Sequence, residues 1–203
     1  MTFKNARIFV LTVAATILFL PSAQAQIRIQ QTDVAITYSL ERAKIEPINC
    51  GCFWLNGASA DGAATLFKGL GIAANLTGEQ ASNITPGVNL SKISFVAGPR
   101  YTYNASPYLG GVGKKHHTQA FGEALFGVAH GFNSVFPAAN GTTSSASSFA
   151  LQLGIGCDIE LYKGFAARIP ELDYVRTALP NNGSNSQNDF RLAFGISYRS
   201  AQH

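Results

Sequence analysis

The stretch Phe149-Ala150-Leu151-Gln152-Leu153-Gly154-Ile155-Gly156-Cys157-Asp158-Ile159-Glu160-Leu161 decides the fold. Phe149, Leu151, Leu153, Ile155, Cys157, Ile159 and Leu161 are apolar, and the residues between them are small or polar, with two carboxylates. Successive side chains leave a pleated strand on opposite faces, so a period of two marks a β-strand that is greasy on one side and wet on the other. Globular strands run to about 5 or 6 residues, whereas a tilted strand that crosses a bilayer needs about 9 to 11. The length of this stretch therefore predicts a membrane-spanning strand.

Similar segments recur along the chain. They predict strands at 32–43, 53–66, 70–79, 91–104, 116–131, 148–161, 165–178 and 189–199. Eight is the smallest strand number of outer-membrane barrels, and an even number returns both termini to one side. The expected fold is all-β: an eight-stranded antiparallel up-and-down transmembrane β-barrel. Val34, Ile36, Tyr38 and Leu40 should face lipid, as should Phe190, Leu192, Phe194, Ile196 and Tyr198. In the fourth strand Ile93, Phe95, Ala97, Pro99, Tyr101 and Tyr103 take the lipid face, which turns Arg100 inward. Tyr38, Phe53, Trp54, Tyr101, Tyr103, Tyr174 and Tyr198 lie where an interfacial aromatic girdle would form.

The N-terminus predicts export. Lys4 and Arg7 precede a thirteen-residue stretch, Ile8 to Leu20, that is apolar but for Thr12 and Thr16, and Ala23-Gln24-Ala25 closes a cleavage pattern. Residues 1–25 are the expected signal peptide and residues 26–203 the barrel domain; a spanning helix would need about 20 apolar residues. The whole chain carries a formal charge of +4, and loss of Lys4 and Arg7 leaves +2, too little to suggest a nucleic-acid partner. Charged residues make up 13% of the chain and glycines number 20, a composition of strands and tight turns.

The connections alternate. Phe67-Lys68-Gly69 and Tyr162-Lys163-Gly164 suit tight turns, while 44–52, 80–90, 132–147 and 179–188 read as long loops rich in Gly, Asn, Ser and Pro. The long set should face outward and the short set the periplasm, with 105–115 as a long periplasmic exception.

The order of several short stretches carries a resemblance: Cys50-Gly51-Cys52-Phe53-Trp54-Leu55-Asn56-Gly57, Gly98-Pro99-Arg100-Tyr101, Phe121-Gly122-Glu123-Ala124-Leu125-Phe126-Gly127-Val128-Ala129-His130, Asp173-Tyr174 and Asn188-Asp189-Phe190-Arg191. The chain resembles the small single-domain OmpA-like, porin-like outer-membrane β-barrels. That resemblance implies a cell outer membrane location, contact with outer-membrane lipid, the barrel-assembly machinery during biogenesis, a ligand or surface at the outer loops, no cofactor, and interior salt bridges. Two departures stand out. Such barrels typically end in an aromatic residue, whereas here Tyr198 is followed by Arg199-Ser200-Ala201-Gln202-His203, and no peptidoglycan-binding domain is expected beside the barrel.

An eight-stranded barrel has an interior only wide enough for side chains. Arg100, Glu123, Asp158, Glu160 and Arg191 have inward parity; Glu171 and Asp173 share one face, and Arg168 joins them only if a bulge forms near Pro170. These eight residues should form a paired network that fills the lumen, because an unpaired charge there costs several kcal/mol. The resulting protein is a structural or surface-interaction barrel with at most a narrow pore, not an enzyme. Two other readings compete: a soluble lipocalin-like barrel with an apolar ligand, and a lipid-modifying enzyme using His130 and Ser134. Cys50 and Cys52 could form a strained disulfide clip.

Overall fold

The computed structural model describes residues 29–44, 52–85, 87–108, 116–138, 141–181 and 185–201. They form β1 (Gln31–Lys44), β2 (Cys52–Phe67), β3 (Leu70–Thr85), β4 (Val88–Asn104), β5 (Thr118–Ala138), β6 (Gly141–Tyr162), β7 (Phe165–Thr177) and β8 (Gln187–Ala201), with a short 3-10 turn at Ser106–Tyr108. Each strand pairs with the next, and β8 pairs back onto β1, so the eight strands close into a barrel. Closure leaves no edge strand with unpaired amides, a requirement for any sheet immersed in hydrocarbon.

The two faces have the polarity read from the sequence. Val34, Ile36 and Tyr38 on β1 and all five of Phe190, Leu192, Phe194, Ile196 and Tyr198 on β8 are exposed, Ile36 by 72%. Between them Ala35, Thr37, Ser39 and Arg191, Ala193, Ser197 are buried in the lumen. On β4 the outward set is Ile93, Phe95, Tyr101 and Tyr103, and Ser94, Val96 and Arg100 point inward. An exterior this apolar would be unsustainable in water, where exposed patches above a few hundred Å² mark interaction or membrane surfaces.

Both short connections are two-residue turns. Lys68 and Gly69 have φ of 46° and 86°, and Lys163 and Gly164 of 41° and 87°. Positive φ at both central positions matches the right-handed twist of the flanking strands, which is why glycine occupies the second.

Three expectations change. The connections 80–90 and 132–147 are largely strand: β3 runs to Thr85 against Val88, and β5 runs to Ala138 against Gly141. Beyond the apolar belt their Ser, Thr and Asn residues satisfy one another's backbone across a hairpin, with register shifts at Ala81/Thr85 and Phe132/Phe136 absorbing the irregularity. The fifth strand begins at Thr118, two residues later than its pattern suggested. Phe53 points into the barrel rather than to a girdle: it packs with Ile84 and Leu90 against buried Ala43, Leu55 and Ala81. Phe53 shares the parity of Leu55, and this apolar group sits over the lumen at the hairpin end, while Trp54 on the opposite face is exposed.

Candidate functional site: the charged lumen

Nine of the eleven acidic residues lie buried inside the barrel: Asp33, Glu41, Asp61, Glu79, Glu123, Asp158, Glu171, Asp173 and Asp189. Lys92, Arg100, Arg168 and Arg191 are buried with them, and Arg199 keeps only 8% of its side chain exposed. An apolar cluster of Ala73, Val96, Leu125, Ala129 and Ala150 lines β3 to β6 and completes the filling.

Arg168 is the hub of the network. It donates from Nε to Asp158 Oδ1 at 2.9 Å and from Nη2 to Asp158 Oδ2 at 3.1 Å, the parallel fork for which a guanidinium is shaped. Its Nη1 donates to Glu171 Oε2 at 3.2 Å and lies 3.7 Å from Asp61 Oδ2. This arrangement depends on an irregularity in β7. The β7–β8 ladder shifts register between Arg168 and Glu171, and across that shift Arg168, Glu171 and Asp173 all point inward despite their sequence parity.

Arg100 holds the opposite wall. Its Nε donates to Glu123 Oε2 at 2.7 Å, and its Nη2 lies 3.8 Å from Asp61 Oδ1. Gln152 donates to Glu123 Oε1 at 3.3 Å, and Asn75 donates to Asp61 Oδ1 at 2.9 Å. Phe121 packs against both arginines, its ring centroid 4.2 Å from the Arg100 guanidinium carbon and 4.5 Å from that of Arg168. A ring face attracts a cation, so one phenyl group stabilises two guanidiniums.

Toward the hairpin end Arg191 donates to Asp173 Oδ2 at 3.0 Å and to Thr77 at 3.1 Å. Above it Lys92 pairs with Glu41 and lies 3.4 Å from Glu79, whose other oxygen accepts from Ser39. At the turn end Arg199 donates to Asp33 Oδ1 at 3.0 Å.

Seven of the eight residues named from the sequence for the lumen are buried there. Glu160 is the exception: it stands at the rim, 31% exposed, accepts from the Gly164 amide at 3.1 Å and lies 4.0 Å from His117 Nδ1. The ladder runs without a break from Asp158↔Arg168 to Glu160↔Ala166, so Glu160 keeps inward parity; it is half-exposed because it stands at the end of the strand beside the 163–164 turn. Sequence reading also missed members. Asp33 and Glu41 share the parity of Ala35, Thr37 and Ser39 on β1, and Arg199 shares that of Arg191, so alternation alone could have placed them inside. Lys92 likewise shares the parity of Ser94 and Arg100 on β4, whereas Asp61 and Glu79 become evident once the registers of β2 and β3 are known.

The enzyme pair does not assemble. His130 is exposed on the outer wall, its Nδ1 bonds to Ser147 Oγ at 2.8 Å rather than to Ser134, and its ring stacks on Phe132. Glu123 lies on the opposite face of β5, inside the lumen, and cannot orient that imidazole. The clip between Cys50 and Cys52 falls on Cys50, outside the described residues; Cys52 is exposed at the start of β2, and Cys157 is half-buried.

The fold has close counterparts among solved structures. Ail, the attachment invasion locus protein of Yersinia pestis, is similar over 85% of this chain and all of its own, with 16% identity and a TM-score of 0.56. Neisserial surface protein A matches over 82% of this chain and 96% of its own, with 12% identity and a TM-score of 0.61. Ail has also been solved in complex with the heparin analogue sucrose octasulfate, and that structure aligns with a TM-score of 0.55. At these identities the likeness is one of fold. No protein-family model and no curated protein matches the sequence.

Proposed function

We propose that the chain is an integral outer-membrane β-barrel with a structural and surface-interaction role, its lumen plugged by charged side chains. The observation that carries this reading is the inverted polarity: residues such as Ile36, Phe194 and Ile196 cover the outside, while nine carboxylates and five cationic side chains fill the inside. A lipocalin-like barrel requires the reverse, an apolar cavity under a polar wall. The network leaves no aqueous channel of porin kind, which takes about 16 to 18 strands.

Export through a signal peptide at residues 1–25, insertion by the barrel-assembly machinery, and a barrel domain over 26–203 belong to the same reading. The long hairpins β3–β4 and β5–β6 then project outward and offer the surface at which a ligand binds, as Ail binds its heparin analogue. The Lys-Gly turns face the periplasm, where Lys68 and Lys163 sit beside exposed Phe67 and Tyr162 at headgroup depth.

Labelling tests the orientation. In a variant with its cysteines replaced, Ser144→Cys on the β6 hairpin should react with a membrane-impermeant maleimide on intact cells, and Lys163→Cys should react only after lysis. The opposite pattern, or recovery of the chain in the soluble fraction, overturns the proposal. In planar bilayers the protein should show little or no conductance, and steps of porin size would contradict the plug.

A further inference from the structure

The charges of the lumen do not balance. Around Arg168 and Arg100 lie Asp61, Glu123, Asp158, Glu171 and Asp173, five carboxylates against the guanidiniums of Arg100, Arg168 and Arg191. At the turn end Arg199 lies between Asp33, at 3.0 Å, and Asp158, at 3.8 Å, and adds one cation and one further acid to the count. With every carboxyl ionised the middle of the lumen carries an excess of two negative charges, and uncompensated buried charge costs several kcal/mol per ion.

Three of these acids converge. One oxygen each of Asp61, Glu123 and Glu171 lies within 4.8 Å of the others, and all three residues are buried. A second, separate observation points into the same space. Asp173, 2% exposed, spends Oδ2 on Arg191 but leaves Oδ1 with no hydrogen-bond partner. That oxygen and Glu123 Oε1 both border the position a Cβ would take at Gly154: such a carbon would overlap Asp173 Oδ1 and come within 3.2 Å of Glu123 Oε1. Gly154 therefore lets both carboxylates lie over its own backbone, in space that any side chain there would take.

We propose that the middle of the lumen binds a calcium-sized divalent cation, held by Asp61, Glu123 and Glu171 with Oδ1 of Asp173 as a further donor. One such ion cancels the excess charge. The donors are all hard carboxylate oxygens, which suit calcium and magnesium rather than zinc or copper. Calcium tolerates irregular geometry with oxygens at about 2.3 to 2.6 Å, so its ligands stand up to about 5 Å apart across the ion, whereas magnesium demands a tighter octahedron. The site lies inside the barrel, away from the surface role proposed above, and would ligate whether or not the hairpins bind a partner.

Calorimetric titration of the refolded full chain in detergent micelles with calcium chloride tests this. The expected result is one saturable site, with a melting transition in calcium several degrees above that in EDTA. Glu171→Gln and Asp173→Asn should each weaken calcium binding at least tenfold, and Glu160→Gln at the rim should leave it unchanged. No binding heat together with identical melting in calcium and EDTA overturns the proposal, as does unchanged affinity in Glu171→Gln and Asp173→Asn. The wild-type titration and melting comparison decide the matter even if a variant fails to fold.

Discussion

Arg168 and Asp158 are joined by two parallel hydrogen bonds, 2.9 and 3.1 Å long, in the interior of the barrel where Arg168 has no exposed surface. A pair of this kind is held by geometry and not by charge alone, because the desolvation of both ions must be offset by well-aimed bonds. Arg168 also serves Glu171, so its loss strands Glu171 and leaves Asp158 only the more distant Arg199, at 3.8 Å.

Replacement of Arg168 by Met, which keeps the stem and removes the charge, should destabilise the folded barrel by about 3 to 5 kcal/mol, the cost of breaking a buried pair. Arg168→Lys should recover only part of this, since an ammonium cannot reproduce the fork. Urea unfolding in micelles, followed by Trp54 fluorescence, measures both. Equal stability of Arg168→Met and wild type would show that the network is not holding the fold.

Phe121 packs against both Arg100 and Arg168, and a Phe121→Leu substitution preserves apolarity while removing the ring face from both cations. The expected loss is about 1 to 3 kcal/mol from the two cation–π contacts together with the smaller side chain. A double-mutant cycle with Arg100→Met should give a coupling energy above about 0.5 kcal/mol. Strict additivity would mean that the ring acts only as filling.

Gly195 tests closure. A Cβ there would overlap the carbonyl oxygen of Ile36 on the neighbouring strand, so Gly195→Ala must push β8 away from β1 at the seam of the barrel. The variant should refold in markedly lower yield than wild type under identical conditions, whereas Gly62→Ala, whose Cβ meets open space, should refold normally. Equal yields for the two variants would contradict the close approach.

The legible part of this protein was whatever alternation carries. On β1, β4, β6 and β8 the apolar and small residues alternate without interruption across the belt, so parity assigned Ile36, Arg100, Asp158 and Arg191 to their faces. Four things lay beyond parity. An irregularity in β7 resets it for Arg168, and axial position, which parity does not carry, puts Glu160 at the rim beside the turn. Hairpin extensions beyond the apolar belt lose the apolar face, so Thr142 and Thr143 paired with Pro137 and Phe136 read as loop. Partners across the lumen, such as Lys92 of β4 with Glu41 of β1, depend on the stagger of the closed barrel, which no local pattern encodes.

The lipid face can be probed by one charge. Ile36 is among the most exposed apolar residues and lies midway along β1. Ile36→Arg should cost about 2 to 4 kcal/mol in a bilayer, the depth-dependent penalty near the midplane. Chemical unfolding in lipid vesicles reads this directly, and a neutral effect would place that face in water.

The central claim is that the apolar outside of a closed barrel meets lipid. The most direct measurement is gel mobility of the chain refolded in detergent micelles, with and without boiling, alongside circular dichroism. A folded band that migrates differently until boiled, a β-type spectrum in micelles and aggregation in plain buffer are the expected results. A chain that stays monomeric and folded without detergent, with one mobility before and after boiling, would contradict it.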